Sequence, residues 1–355
     1  MRVAVLMLAY GGPSDLKGVA PFLGRVLAPR EPVPSMVVRA RERYRAIGGG
    51  SPLVPNTLRQ AAALDAYLHV KGGELIRPAW SQGAGSPAAK PTETRVFVGM
   101  RFTEPWLADA LEEALVYAGD GVVAAVVMAS HQSRGATGAY HAQVERLRSA
   151  WKAEGVSHSS EVVFVDGWQR SAGYLEAVAV RVAEARARLA GRGVTGTPWL
   201  LFTAHSLPVD PAMGDPEYER DLVETAAAVA RTAGGLGWRL GYQSRSERPG
   251  VHWLEPEAAA VLAEEAAGGR GPVVVVPLGF VAEHLETLYD LDVALRAEAE
   301  RVGLPMERAG TVQDHPAFVA ALAEAVADKV WAHTLAGSAS SLPGSVGPDR
   351  AGGGV

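Results

Sequence analysis

The side chains that could do chemistry in this chain sit just after apolar runs. His205 follows Trp199 to Phe202, and Pro208 prevents that strand from continuing. An imidazole there can be a base, a ligand, or a structural hydrogen-bonding group at a strand end. Glu283, His284, Glu286 and Asp290 follow Val273 to Phe280. On a helix, Glu286 and Asp290, four apart, share a face, as do Glu283 and Glu286, three apart. Like charges so spaced repel unless a cation or solvent offsets them, although Glu283 alone also reads as an acid favoured at a helix start. A neutral imidazole with carboxylates suits transient binding of a divalent first-row metal such as Fe(II). The same groups suit acid–base catalysis without a metal, and spacing does not separate the two.

Other polar groups interrupt the chain at comparable places. Tyr10 follows Val3 to Ala9, and Ser130, His131, Gln132, Ser133 and Arg134 follow Val122 to Ala129. In parallel α/β sheets, ligands collect beyond the carboxyl ends of strands. The run Arg43-Tyr44-Arg45-Ala46-Ile47-Gly48-Gly49-Gly50-Ser51-Pro52 joins two cations to a glycine triplet at a helix start. Free amides and the Ser51 hydroxyl there would suit an anion; a plain turn with Ser51 as N-cap is the competing reading. The Gly-Lys-Ser/Thr ending of a P-loop is missing, so no nucleotide is expected.

Short apolar runs alternate with longer Ala- and Leu-rich segments of helical period, the pattern of parallel strands joined by crossover helices. Seven strands are expected: Val3 to Ala9, Arg95 to Met100, Val122 to Ala129, Val162 to Val165, Trp199 to Thr203, Trp238 to Tyr242 and Val273 to Leu278. Seven is too few for a (β/α)8 barrel, and 355 residues suit two domains. The fold class is therefore α/β, with two doubly wound domains and a ligand cleft between them. The division is placed at the polar stretch Glu154 to Ser160. Leu75 to Thr94 reads as an exposed loop, and 336–355, rich in Gly, Ser and Pro, as a disordered tail.

Composition excludes several classes. The net charge of -5 argues against a nucleic-acid-binding surface. With no Cys, the chain has no disulfide, thiolate nucleophile or cysteine-ligated iron–sulfur cluster. No apolar run approaches the roughly 20 residues that cross a bilayer. Arg2 before Val3 to Ala9 lacks the cleavage site of a secretory signal, so a cytoplasmic protein is expected.

Taken in order, these residues resemble the ferrochelatases, enzymes that insert ferrous iron into a porphyrin. The resemblance runs from Ala9-Tyr10-Gly11-Gly12-Pro13 to about Ala332. It is carried by Tyr44 to Leu53, Gly99-Met100-Arg101-Phe102-Thr103-Glu104-Pro105, Ala204-His205-Ser206-Leu207-Pro208, Tyr242-Gln243-Ser244 and Gly279 to Asp290. It implies two Rossmann-like domains with the porphyrin between them: 1–155 plus about 308–335, the last helix returning to the first domain, and 156–307. By matched position, His205 resembles the active-site histidine and Glu286 its carboxylate partner, with Asp290 behind it as a secondary metal contact. Tyr10 resembles a tyrosine typical of the subgroup acting on coproporphyrin III, where the phenol approaches the iron axially. Arg43, Tyr44, Ser51 and Tyr140 match positions contacting the porphyrin or its propionates.

The departures from that pattern are informative. Val26-Leu27-Ala28-Pro29-Arg30 stands where the subgroup carries an Arg-rich segment, leaving Arg30 and Arg25 as cations. Ala294 stands where the acidic row often continues, and Arg101-Phe102 replaces a Lys-His pair. The resemblance implies Fe(II) as substrate, neutral His205 taking pyrrole protons or holding the metal, and Tyr10, Trp168 and Trp253 as cleft walls. Coproporphyrin III is the expected porphyrin; protoporphyrin IX, or a non-catalytic tetrapyrrole carrier, are the alternatives. Direct handover of the product to the next haem-pathway enzyme is expected from its reactivity.

Overall fold

The computed structural model describes residues 1–70, 93–209, 215–245 and 250–340. Its first half contains strands β1 (Arg2–Ala9), β2 (Glu93–Met100), β3 (Val122–Val127) and β4 (Glu161–Val165), with helices α1 (Val19–Leu27), α2 (Pro34–Ala46), α3 (Leu53–Val70), α4 (Leu107–Ala118) and α5 (Thr137–Ala153). After a 3-10 turn at Trp168–Arg170 come α6 (Ala172–Gly191), β5 (Trp199–His205), α7 (Pro216–Thr232), β6 (Trp238–Gln243), α8 (Ala258–Ala267) and β7 (Val273–Val276). The chain ends with α9 (Leu285–Leu288), a π-helix (Asp290–Leu295), α10 (Arg296–Arg301), β8 (Met306–Arg308) and α11 (Pro316–Ser340). Among the described residues, no helix is long and apolar enough to cross a membrane.

Two four-stranded sheets result, ordered β2-β1-β3-β4 and β6-β5-β7-β8, and every ladder is parallel. Parallel strands need both faces covered, which explains runs with no polar alternation: Val3 to Leu8 of β1 and all of β3 are buried. Successive side chains still point to opposite faces. Val3, Val5 and Met7 join a core with residues of α3, α6 and α11, while Ala4, Leu6 and Leu8 join another beneath α4 and α5. The first of these cores also holds Leu200, Phe202 and Ala204 of β5, so it links the two sheets.

The halves share more than a plan. Gly99 at the end of β2 lies so close to α4 that a Cβ would fall 2.9 Å from Leu107 Cα, and Gly241 in β6 would place one 2.8 Å from Ala258 Cα at the start of α8. The next amide in each case is received by a loop carbonyl: Met100 N–H donates to Pro105 O at 2.7 Å, and Tyr242 N–H to Pro256 O at 2.8 Å. In register, Gly99 pairs with Leu8 and Gly241 with Thr203. Counting two residues onward, Tyr10 and His205 occupy equivalent positions at the carboxyl end of β1 and of β5. Both lie beside the switch point where the strand order reverses, the place such sheets bind ligands.

Several expectations shift. An eighth strand, β8, was too short to carry a periodic signal. β4 lies beyond the polar stretch 154–160 yet pairs with β3, so the passage between sheets comes after Val165, not at 155. Helix α11 continues to Ser340, past the expected start of the tail at 336; 341–355 lie outside the described residues. Most of the 75–94 loop does too, but Glu93 and Thr94 are strand, because they pair with Arg2 and Val3.

Candidate active site

His205 ends β5 and donates from Nδ1 to Glu286 Oε2 at 3.1 Å, and its Nε2 has no hydrogen-bond partner among the described residues. The backbone around the pair is fixed: Tyr218 OH donates to His205 O at 3.0 Å, and Gln243 Nε2 to Glu286 O at 2.8 Å. His284 Nε2 stands 3.9 Å from the same Glu286 oxygen. The acidic row is not one regular helix. Glu286 lies in α9 and Asp290 opens the π-helix, while Glu283 precedes both and points elsewhere, accepting from Arg308, Thr311 N–H and the Thr311 hydroxyl. Both oxygens of Asp290 are occupied, Oδ1 by Arg43 and Oδ2 by the Ser244 hydroxyl. Arg43 also stacks on the Tyr289 ring at 4.9 Å.

Just past β1 in the other sheet, Tyr10 is 41% exposed and its ring packs 4.7 Å from Phe102 and 6.2 Å from Phe22. The crowded wall, and the charge of Glu286, push its phenol up to about 12 against the opposing pull of Arg101. Tyr44 and Tyr140 are buried and likewise raised, by desolvation first; Glu286 adds to the shift at Tyr44 and Tyr10 to that at Tyr140. Tyr10, Tyr44, Tyr140, Arg101 and Glu286 therefore share one electrostatic space. Trp168 does not line it: it is 3% exposed and packs in the core 5.5 Å from both Tyr174 and Phe318.

The glycine triplet is a docking device. A Cβ on Gly50 would fall 2.2 Å from Ser14 O, and Ser51 N–H donates to Pro13 O at 2.7 Å, tying this turn to the one after Tyr10. The amides of Gly48 and Gly49 are also used, on Arg45 O and Tyr44 O. The turn thus spends these amides internally, while the one hydrogen bond of the Ser51 hydroxyl among the described residues is accepted from Leu53 N–H, at 3.3 Å. Arg30 is exposed at the surface, and Arg25 is held by Phe102 O at 2.7 Å with its guanidinium over Trp106.

Electrostatics set the protonation of the central pair. Burial disfavours charge on His205, but the charge and hydrogen bond of Glu286, aided by Asp290, outweigh it and raise the imidazole above its usual 6.5. Burial likewise opposes ionisation of Glu286, yet His205 and His284 hold it well below 4.5. The pair thus favours the charged forms of both groups more than either would alone, and the neutral His205 expected from sequence has to be reached against that pull. A cation arriving at Glu286 would repel the proton on His205 and free the ring as a ligand or base.

Residues 2–330 match the family model for ferrochelatase. The chain is 34% identical over 321 residues to a ferrochelatase of Herpetosiphon aurantiacus, covering 90% of this chain and 96% of that one. It is 35% identical over 333 residues to the coproporphyrin III ferrochelatase of Frankia alni, covering 91% and 79%. The chain belongs to the ferrochelatase family. Its fold is similar to that of the sirohydrochlorin chelatase SirB from Bacillus subtilis subspecies spizizenii, with a TM-score of 0.53 at 11% identity over 93% of this chain and 96% of that one. This ferrochelatase is an enzyme that inserts a metal into a porphyrin.

Sequence reasoning assigned no role to several residues that build the ferrochelatase site. Gln243 and Ser244 gain theirs from register, since β6 sets Gln243 beside His205, and Tyr218 reaches the strand end from α7. Arg308 is the other. From β8 it grips Asp292 of the π-helix with two bonds, 2.7 and 2.8 Å, and Glu283 with a third, 3.0 Å. Its side chain is only 11% exposed. Arg308→Met would strand two carboxylates, with an expected loss of about 3–5 kcal/mol in denaturant unfolding. Arg308→Lys should recover only part of this, because a point charge cannot reproduce the bidentate grip.

Proposed function

We propose that this ferrochelatase inserts Fe(II) into coproporphyrin III. The observation that carries the reading is the placement of Tyr10 and the His205–Glu286 pair at equivalent strand ends of the two sheets, within each other's electrostatic reach. A flat macrocycle between them would meet a phenol on one side and an imidazole–carboxylate pair on the other. Relatives at 33–35% identity that carry the name coproporphyrin III ferrochelatase support the choice of porphyrin.

The reaction joins a free-base porphyrin and Fe(II) to give the iron porphyrin and two protons. Two pyrrole N–H bonds break, and the nitrogen lone pairs take the metal. His205, relieved of its own proton to solvent, accepts the pyrrole protons one at a time at Nε2 and releases the first to solvent before taking the second; Nδ1–H, bonded to Glu286, keeps the ring oriented. Glu286 attracts the cation and stabilises the imidazolium that forms. Two protein donors hold an ion loosely, as suits an ion that must leave for the ring; among the described residues there is no group of three or more acidic or histidine ligands arranged to hold a metal. Iron is a substrate here, and no cysteine is present to hold a cluster. The cytoplasm is the compartment this reading places the enzyme in, with the product passed onward to the next enzyme in the haem pathway.

Anaerobic initial rates with the two porphyrins test the substrate assignment. Coproporphyrin III should give the higher kcat/KM; a preference for protoporphyrin IX would reverse it. Tyr10→Met should shift the absorption bands of the enzyme-bound product if the phenol approaches the iron, and an unchanged spectrum would remove Tyr10 from the iron's surroundings.

A further inference from the structure

We propose that Arg101 anchors a carboxylate of the porphyrin, its guanidinium held between Phe102 and Tyr140 beside Tyr10 with no acidic partner among the described residues. The proposal rests on the ferrochelatase reading. In register, Arg101 follows Met100 as Gln243 follows Tyr242, so it is the first sheet's counterpart of the residue that steadies Glu286 in the second. Its backbone is fixed by donation to Ala9 O at 2.9 Å. Its guanidinium carbon stands 4.9 Å from the Phe102 ring centre and 5.6 Å from that of Tyr140.

What distinguishes Arg101 is its charge balance. Glu286 is matched by His205, and Asp290 by Arg43. Arg25 is tied to the Phe102 carbonyl and Trp106. Arg30 and Arg45 are exposed, where water solvates them. Arg101 is half-buried and makes no salt bridge to any carboxylate among the described residues. A guanidinium stacked on aromatic faces is oriented in advance for planar, two-point contact with a carboxylate. A porphyrin that carries propionates brings that group, and Arg43, already committed to Asp290, is poorly placed to serve a second one.

The test separates charge recognition from packing. Free-base coproporphyrin and its tetramethyl ester would be titrated, in the same detergent and without iron, into wild type, Arg101→Leu and Arg101→Lys, followed by quenching of tryptophan fluorescence. Thermal unfolding of each variant checks that the cleft is intact. The expected result is a Kd for the tetra-acid raised about tenfold in Arg101→Leu, recovered within about threefold in Arg101→Lys, with the ester unaffected by either. The loss should shrink at high salt, where the contact is screened. Equal losses for acid and ester would mean that Arg101 only packs the wall, and no loss in either would mean that it does not meet the ligand; both overturn the proposal. A wild-type protein that binds neither porphyrin would remove the porphyrin reading itself, and the anchor with it.

Discussion

His205→Ala is expected to lower the rate of iron insertion by about 10²–10⁴-fold, the range a positioned base contributes, measured anaerobically as loss of the free-base absorption bands. The imidazole ends β5 hydrogen-bonded to Glu286 through Nδ1, which leaves Nε2 to meet the porphyrin. The fold should survive, because Glu286 keeps His284 at 3.9 Å and its side chain is 31% exposed, so water can solvate the orphaned carboxylate. Porphyrin affinity should change little, since Tyr44, Tyr140, Arg101 and the aromatic wall are untouched. Near-normal turnover in the variant would remove His205 from the chemistry.

Glu286→Gln is the second large effect, and it has a signature that simple damage lacks. In the wild type, His205 must lose its proton to act, and its pKa is raised above 6.5. The acid limb of kcat/KM should therefore rise with pH through a value above 6.5. Glutamine removes the charge that opposes desolvation, so burial becomes the dominant influence and the imidazole pKa falls below 6.5. The acid limb should move to lower pH while the plateau drops by about a hundredfold, because a weaker base with no carboxylate partner is left to take the proton and attract the metal. NMR titration of the His205 ring protons reads the pKa directly. An unshifted His205 titration would show that the two side chains do not share the proton balance seen in their geometry.

Parts of this site were legible in the residues. His205 and Glu286 are visible because each interrupts the chain just beyond a strongly apolar run, where a parallel sheet delivers side chains to a ligand. Asp290 is visible too, but its state is not: that both its oxygens are taken by Arg43 and Ser244 depends on elements 46 to 247 residues away in sequence. The Gly48 to Ser51 run had two readings of equal standing, and only the fold shows why glycine stands at 50, where a Cβ would fall 2.2 Å from Ser14 O. Trp168 looked like a cleft wall, and burial against Phe318 of α11 makes it core.

The strands themselves followed from hydrophobic runs, because buried parallel strands have no solvent face and need none of the alternation that blurs other assignments. β8 escaped: three residues are too few for a period. The boundary between the sheets escaped as well, because strand pairing is a long-range choice, and a polar stretch on the surface does not reveal whether β4 turns back to β3 or forward to β5. The sequence by itself determined the α/β class and the chemical identity of the reacting groups, since local apolarity and side-chain type are written residue by residue. Which charges neutralise one another, that Tyr10 and His205 are counterparts in two like sheets, and that Arg101 is half-buried with no acidic partner among the described residues all depend on distances between segments that only folding brings together.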